Sequence, residues 1–424
     1  MTSGERARSA GAAWALLDWA ASAFSTVLIT LVVAYVERVV FADRAWGVDP
    51  GVVWAWTLAV AMLLSALITP FLAAWADRHE AHVSALVGGV LLGAGGLVVL
   101  GILPPTARLG VAAAVVLAAV GFDVAVVFTG SLLPRIASGA AADRLSAAGF
   151  ALGYAGGAIA LVVATAIVAA HDKLGLSMVG GLRAAFVFTA VWWLLFSWPA
   201  AVVRFGPAPP AAGEGSSFGD LRGFVADLGR GDAASRALLG VLGGAMLTLG
   251  AVQTAIAQFS SVALEEFRLT SSELVKLVLL VQFVALPGAL AVGWLSTRWG
   301  RTAAFITCLA GWGAVLALAW RVQTTGQLHA VAVLLALVLG GVQSVVRAIV
   351  AGAAPAGRSG ATFGLLHVGT KLAGFAANLL FGAVLAASGQ PRAGLLVLLG
   401  FLVAGGWLAV RPPHHASPRT SRIE

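Results

Sequence analysis

Long apolar runs, separated by short polar or proline-containing breaks, occupy most of the chain. A helix needs about 20 mainly apolar residues to cross the roughly 30 Å hydrocarbon core of a bilayer. The runs are continuously apolar rather than alternating, which excludes a closed β-barrel and predicts membrane-spanning helices. We therefore predict twelve spans, six on each side of a polar interval near the middle. They cover residues 12–35, 51–75, 83–103, 109–133, 147–170, 183–203, 237–262, 277–296, 303–320, 329–351, 361–386 and 393–410.

The composition supports lipid as the main solvent. Of 424 residues, 60% are hydrophobic and 10% are charged, whereas a soluble globular protein has about 25% charged residues. Lysine and arginine are more frequent in the segments on the same side as the two termini. This bias predicts a multi-pass protein of the cell (inner) membrane with both termini in the cytoplasm. The same basic fringe accounts for the net charge of +8, so we expect anionic lipid head groups as neighbours and no nucleic-acid partner.

The polar interval predicts a division into two halves. Residues 1–203 and 237–410 each hold six spans, residues 204–236 form a cytoplasmic linker, and the polar tail 411–424 is expected to be disordered. Apolar residues recur at helical spacing within the linker, which predicts a short amphipathic helix on the cytoplasmic membrane face. They are Phe218, Leu221, Phe224, Val225 and Leu228.

Similar residues recur at a constant separation along the two halves. Arg78 follows the second span and Arg298 follows the eighth, and the same separation relates Gly121 of span four to Gly341 of span ten. Matches at one constant shift, on either side of a central linker, indicate a duplication. The two six-helix halves are therefore expected to be parallel structural repeats.

Motifs from the first span to the eleventh resemble one branch of the major facilitator superfamily. That branch contains the autophagy-associated vacuolar effluxers and their bacterial relatives. The residues from Leu17 to Phe24 (LDWAASAF) are similar to its YDWANSAF opening. Further similarities are Leu132-Leu133-Pro134, Gly153-Tyr154-Ala155-Gly156-Gly157, Gly250-Ala251-Val252-Gln253-Thr254, Gly340-Gly341-Val342-Gln343-Ser344 and Lys371. The resemblance implies an all-α membrane fold of two six-helix halves, in which spans one, four, seven, ten and eleven line a central cavity.

Ionisable residues within spans are the first candidates for function, because a charge at the bilayer centre costs roughly 2.5–3.5 kcal/mol on insertion scales. We combine them with polar residues on the spans that the resemblance assigns to the cavity. The predicted substrate or coupling-ion site consists of Asp18, Ser22, Asp123, Gln253, Thr254, Gln343, Arg347, His367, Lys371 and Asn378. For Asp18 and Arg347 there is an alternative, because each lies close enough to the end of its span to extend to the membrane surface.

The residues that follow spans two and eight resemble the cytoplasmic gating motif of the superfamily. In that motif, charges between helices favour one closed face of the transporter. The corresponding residues here are Asp77, Arg78, Arg298, Gly300 and Arg301. The alternative is the ordinary enrichment of basic residues in cytoplasmic loops.

The sequence favours a transporter over an enzyme. It has no Gly-x-x-x-x-Gly-Lys phosphate motif and no His-Glu-x-x-His zinc motif, so we expect neither catalysis nor a metal or other cofactor. We predict a secondary transporter of a small organic solute that works by alternating access as a monomer. The resemblance suggests amino-acid efflux, and the carboxylates Asp18 and Asp123 suggest coupling to protons. Departures from the branch, such as Leu249 where it has aspartate, leave open a transport-inactive membrane scaffold or sensor.

Overall fold

A computed structural model of the protein describes residues 3–43, 47, 50–206, 217–229, 232–265, 271–355, 357–388 and 391–410. Within these residues the regular elements are all helical, with no strand. In this part of the chain, twelve helices are long and apolar enough to cross a membrane. The prediction of an all-α integral membrane protein with twelve spans is therefore confirmed. The predicted disordered tail and linker residues 207–216 lie outside the described residues.

The helices follow one another with short connections. In the first half, α1 is Ser3–Val27, continued by π-helical turns at Leu28–Val32 and Val36–Val40. It is followed by α2 (Pro50–His79), α3 (His82–Ile102), α4 (Arg108–Leu132), α5 (Gly139–Ala169) and α6 (Met178–Val202). The linker holds α7 (Ser217–Gly229). The second half contains α8 (Ala233–Glu265), α9 (Ser271–Trp299), α10 (Arg301–Ala319), α11 (Thr325–Ala353), α12 (Ser359–Ser388) and α13 (Leu395–Val410).

Several helices extend beyond the predicted apolar runs. The fifth run begins at residue 147, whereas α5 begins at Gly139 and includes Asp143 and Arg144. A charged residue at the membrane surface costs little, and the helix continues because its backbone groups remain hydrogen-bonded within it. With twelve spans, the start of α1 and the end of α13 lie on the same side of the bundle. We call that side the termini face.

Glycines bring the backbones of α3 and α4 into direct contact. A Cβ atom on Gly89 would lie 2.9 Å from the backbone nitrogen of Ala125, and one on Gly96 would lie 2.6 Å from that of Ala118. Small residues permit this close approach between membrane helices, where van der Waals packing replaces the hydrophobic effect. The pair forms a tight unit within the first half.

Several helix pairs join the halves, and two of these pairs are the most extensive. Helix α2 packs against α12, and α5 packs against α9. Because α2 corresponds to α9 and α5 corresponds to α12 in the repeat, the two interfaces are equivalent under exchange of the halves. Together they flank the centre of the bundle.

The linker helix α7 packs on α2 and α8. Phe224 and Leu228 on its apolar side are 2% and 5% exposed. The sequence predicted that this side would lie on the membrane, whereas these two residues are buried against the protein. Arg358, which precedes α12, binds Asp227 of α7 at 3.0 Å and lies over the Phe224 ring. The linker is therefore attached to helices of both halves.

Candidate functional site

A cavity of about 420 Å³ lies between the two halves. Helices α1, α4 and α5 line it from one half, and α8, α9, α11 and α12 line it from the other. The predicted site residues in its wall are Asp18, Ser22, Asp123, Gln253, Gln343, Arg347, His367 and Lys371. Phe122, Phe150 and Phe363 are also in the wall, so the polar groups stand in largely apolar surroundings.

An ion pair between Asp18 on α1 and Arg347 on α11 crosses from one half to the other. Arg347 donates from Nη2 to Asp18 Oδ2 at 2.7 Å and from Nη1 to Oδ1 at 3.1 Å. The Asp18 side chain is 16% exposed, and the Arg347 side chain is 11% exposed. Paired, hydrogen-bonded charges of this kind are more strongly held than single contacts at a surface. Their position differs from the alternative in which each side chain extends separately to the membrane surface.

Other donors of the Arg347 guanidinium are also engaged, and two aromatic rings pack against it. Its Nε donates to Ser146 Oγ at 3.1 Å, and its Nη2 donates to the Ser146 carbonyl at 3.1 Å. The rings of Trp14 and Phe150 lie 4.5 Å and 4.2 Å from its central carbon. Cation–π contacts of this kind stabilise a desolvated guanidinium. Arg347 is thus fixed by residues of the opposite half.

A second charged cluster joins α4 to α12. Lys371 Nζ lies 3.1 Å from Asp123 Oδ1, and His367 Nε2 lies 3.6 Å from the same oxygen. The Asp123 side chain is 7% exposed, which would be costly for an unpaired carboxylate. His367 and Lys371 are four residues apart, so they share one face of α12. This contact, like that of Asp18 and Arg347, links opposite charges from the two halves.

Thr254 and Asn378, which were predicted to line the cavity, lie outside the residues of its wall. Asn378 Nδ2 donates to Thr254 Oγ1 at 3.0 Å and to the Gly374 carbonyl at 2.9 Å. The Thr254 hydroxyl also donates to that carbonyl. Successive helical residues are rotated by about 100°, so Thr254 faces α12 while neighbouring Gln253 faces the cavity. The pair joins α8 to α12 within the second half.

At the termini face, Asp77 binds the start of α12. Its two carboxylate oxygens accept hydrogen bonds from the backbone nitrogens of Gly360 at 2.9 Å and Ala361 at 2.7 Å. The first turn of a helix has unpaired N–H groups and a positive dipole end, so a carboxylate is favoured there. His82 is buried on the other side of this carboxylate, with Nε2 3.0 Å from Asp77 Oδ1. This contact holds the α2–α12 interface.

The interface of α5 with α9 and the start of α10 has a different arrangement. Asp143 on α5 accepts from Arg301 Nε at 2.6 Å and from Ser296 Oγ at 3.1 Å. Arg301 also donates to the Gly139 carbonyl. The preceding Gly300 has φ of +91°, a backbone conformation suited to glycine. The other two predicted gating residues, Arg78 and Arg298, are exposed.

Some residues at these contacts were missed by sequence reasoning. Asp143 and His82 lie near the ends of spans, where ionisable residues are common and give no signal. Gln282 is different, because it lies in the middle of an apolar run, where an unpaired amide is costly. That cost was a usable signal. In the structure, Gln282 Nε2 donates to Thr26 Oγ1 of α1 at 2.8 Å, and both residues line the cavity.

Comparison with known sequences identifies the family to which the chain is similar. The family model described as "Vacuole effluxer Atg22 like" matches residues 51–416. The chain is also 24% identical over 416 residues to YxiO of Bacillus subtilis (strain 168), an uncharacterized MFS-type transporter. That alignment covers 96% of both proteins.

Solved transporter structures share the fold. The proton:xylose symporter XylE, bound to 6-bromo-6-deoxy-D-glucose, aligns with a TM-score of 0.74 and 13% identity, covering 96% of this chain and 95% of XylE. The E. coli fucose:proton symporter FucP aligns with a TM-score of 0.70 and 12% identity, covering 94% of this chain and 97% of FucP. These are transporters of the major facilitator superfamily, so the comparisons do not favour the scaffold alternative. They confirm the prediction of a transporter rather than an enzyme. The chain therefore belongs to the vacuole effluxer Atg22-like family of major facilitator superfamily transporters.

Proposed function

We propose that this protein is a secondary active transporter that moves a small organic solute through the central cavity by alternating access. One observation carries the proposal: the charged residues of the cavity pair across the two halves rather than within them. The pairs are Asp18 with Arg347 and Asp123 with Lys371. A solute or proton that competes for either pair would weaken a contact between the halves and so change their relative stability.

The contacts at the termini face support a gating role for Asp77 and Arg301. Each connects one half to the other, through the start of α12 and through Asp143, respectively. In our proposal these contacts stabilise the state closed at that face and break when it opens. We further propose that the termini face is cytoplasmic, in the cell membrane, and that one chain acts as a monomer.

We propose amino acids, moved outward, as the first substrate class to test, with protons as the coupling ion. The cavity offers both signs of charge in an apolar wall, which suits a zwitterion with an apolar side chain. Lys371 would bind the carboxylate, and Asp123 would bind the ammonium group. Protonation of Asp18 or Asp123 would release its basic partner, which is one way in which a proton gradient could drive the cycle.

Reconstituted liposomes test the proposal. Liposomes containing the full-length protein should exchange at least one of the twenty radiolabelled amino acids faster than protein-free liposomes. An imposed pH gradient should change the direction of net flux. Lack of flux for a broad set of amino acids and other small organic solutes, from protein that is folded and correctly inserted, would contradict transport. Flux that does not depend on the pH gradient would contradict proton coupling but not transport.

A further inference from the structure

We propose that His367 carries the coupled proton, and that protonated His367 and Lys371 together bind the carboxylate of the solute. This inference rests on the proposed transport function and deepens it. It assigns the proton to a histidine of α12 rather than to Asp18 or Asp123.

The cations of the cavity differ in their availability. Arg347 makes four hydrogen bonds to Asp18 and Ser146, and two aromatic rings pack against its guanidinium. An incoming anion would have to displace several of these contacts at once. Lys371 has three N–H donors, and its charge contact is to a single carboxylate oxygen, Asp123 Oδ1. The α12 side of the cavity is therefore the place where an anion meets the least competition.

His367 lies beside that same oxygen without a good hydrogen bond. Its Nε2 atom is 3.6 Å from Asp123 Oδ1 and has no hydrogen-bond partner among the described residues, although the side chain is 11% exposed. A buried polar nitrogen without a partner costs free energy. An oxygen of a bound carboxylate would remove that cost, provided that Nε2 carries a hydrogen.

The charge of the cluster depends on this histidine. With His367 neutral, Asp123 and Lys371 cancel, and a second carboxylate would be repelled by Asp123. With His367 protonated, the cluster has a net charge of +1 and attracts one anion. Histidine is the side chain whose ordinary titration falls nearest neutral pH. Proton and anion would then bind as a neutral unit, each favouring the other.

Few other charges face His367. Of the described helices packed against α12, α2 carries its charges at its C-terminal end from Asp77 onwards, α8 has Arg236 near its start, and α13 has none. The short helical turn Pro391–Gly394 also packs against α12, and its Arg392 donates to the carbonyls of Trp320 and Val322. Helix α4 contributes Asp123, and α11 contributes Arg347, which is already paired with Asp18. The charged groups that share the cluster with His367 are therefore Asp123 and Lys371.

Binding of the proton and the anion would also weaken the contact between the two halves. A carboxylate bound by Lys371 and His367 takes over the contacts that both side chains make with Asp123. The contact between α4 and α12 would then be replaced by contacts between solute and α12. Binding of proton and anion together is thus connected to separation of the halves.

Binding measurements on the full-length protein in lipid nanodiscs test this inference. We choose 3-phenylpropionate as the anionic probe, because Phe122 and Phe363 give the cavity an apolar wall. Phenethylamine, which lacks the carboxylate, is the matched cationic probe. Calorimetry from about pH 5 to about pH 8 should show that 3-phenylpropionate binds more weakly as the pH rises, by about tenfold per pH unit wherever binding takes up one proton. One proton should be taken up for each bound anion, and phenethylamine should show neither effect.

Two histidine variants make the assignment specific. His367→Gln should lose the pH dependence and the proton uptake, while His329→Gln, at an exposed histidine of α11, should retain both. No binding of 3-phenylpropionate to folded wild type, binding without proton uptake, or an unchanged pH dependence in His367→Gln would overturn the inference. If liposomes still transport solutes in any of these cases, the proposed function stands and only the role of His367 fails.

Discussion

Replacing Asp18 by asparagine should shift the protein towards conformations in which the halves separate at the termini face. The substitution keeps the shape of the side chain but removes the charge that Arg347 binds through two nitrogens. Ser146, Trp14 and Phe150 would still surround the guanidinium. The fold of each half should therefore persist, while a contact between the halves weakens.

The expected size of the shift follows from the contacts that are lost. Hydrogen bonds to a charged group contribute about 1.5–3 kcal/mol each, and asparagine can replace only one of the two. The loss of one such bond would change the ratio of open to closed conformations by roughly 10- to 150-fold. Salt should screen little of this effect, because the two side chains are only 16% and 11% exposed.

Distances between spin labels would measure the shift. Arg144 and Thr302 are exposed and adjoin Asp143 and Arg301, so nitroxides on cysteines at these two positions report on the contact between α5 and α10. The buried Cys308 would first be replaced by alanine. Pulsed electron paramagnetic resonance in nanodiscs should show a larger fraction of long distances in Asp18→Asn than in the parent protein.

Asp43→Asn is the matched control. Asp43 pairs with Arg108 of the same half, and its side chain is 60% exposed, so its removal should leave the distances unchanged. Identical distance distributions in Asp18→Asn and its parent would refute the reasoning. An equally large shift in Asp43→Asn would do so as well, because it would show a general loss of packing.

Three further outcomes are expected. Lys371→Ala should abolish most transport and lower the free energy of unfolding by on the order of 3–5 kcal/mol, because Asp123 loses its lysine partner. Adding Asp123→Ala should restore the stability but not the transport. Wild-type flux in the single variant would contradict the proposal. Cysteines introduced at Ser216 and Ser417 should resist membrane-impermeant reagents in intact cells, and labelling would reverse the proposed orientation. Thr254→Val should lower the free energy of unfolding by about 1 kcal/mol with little change in solute affinity, because the threonine hydroxyl joins α8 to α12. A large change in affinity measured by calorimetry would contradict that role.

The apolar runs were sufficient to predict the twelve spans, because lipid leaves few alternatives to helices of that length. Their ends were less predictable. Asp143 and Arg144 suggested a loop before span five, yet they belong to α5, since Arg144 is exposed at the helix end and Asp143 is paired with Arg301. The linker helix was placed on the membrane because amphipathic spacing cannot distinguish a lipid surface from a protein groove. Phe224 is buried against the protein.

The sequence predicted those residues of the candidate site that carry a charge within an apolar span. Asp123 and Lys371 are charges deep in apolar runs, and their cost singled them out. The pairing itself was not accessible, because it depends on the register between α4 and α12. The direction of Thr254 was missed for a related reason: one residue separates the cavity face of α8 from the face that packs on α12. Asp143 gave no signal, although it makes the main charged contact between α5 and α10.

The two interfaces at the termini face should differ in their tolerance to mutation. At the α2–α12 interface the donors are the backbone nitrogens of Gly360 and Ala361, which every residue except proline supplies. Asp77 must keep its identity there, and both donor residues must stay small: a Cβ atom on Gly360 would lie 2.7 Å from Asp77 Oδ1, and Ala361 is 4% exposed. At the α5–α9 interface, Asp143 depends on a particular arginine, so a change in either member of the pair needs a compensating change in the other. Related transporters should therefore keep an aspartate and small residues at one interface, whereas at the other interface Asp143 and Arg301 should change only together.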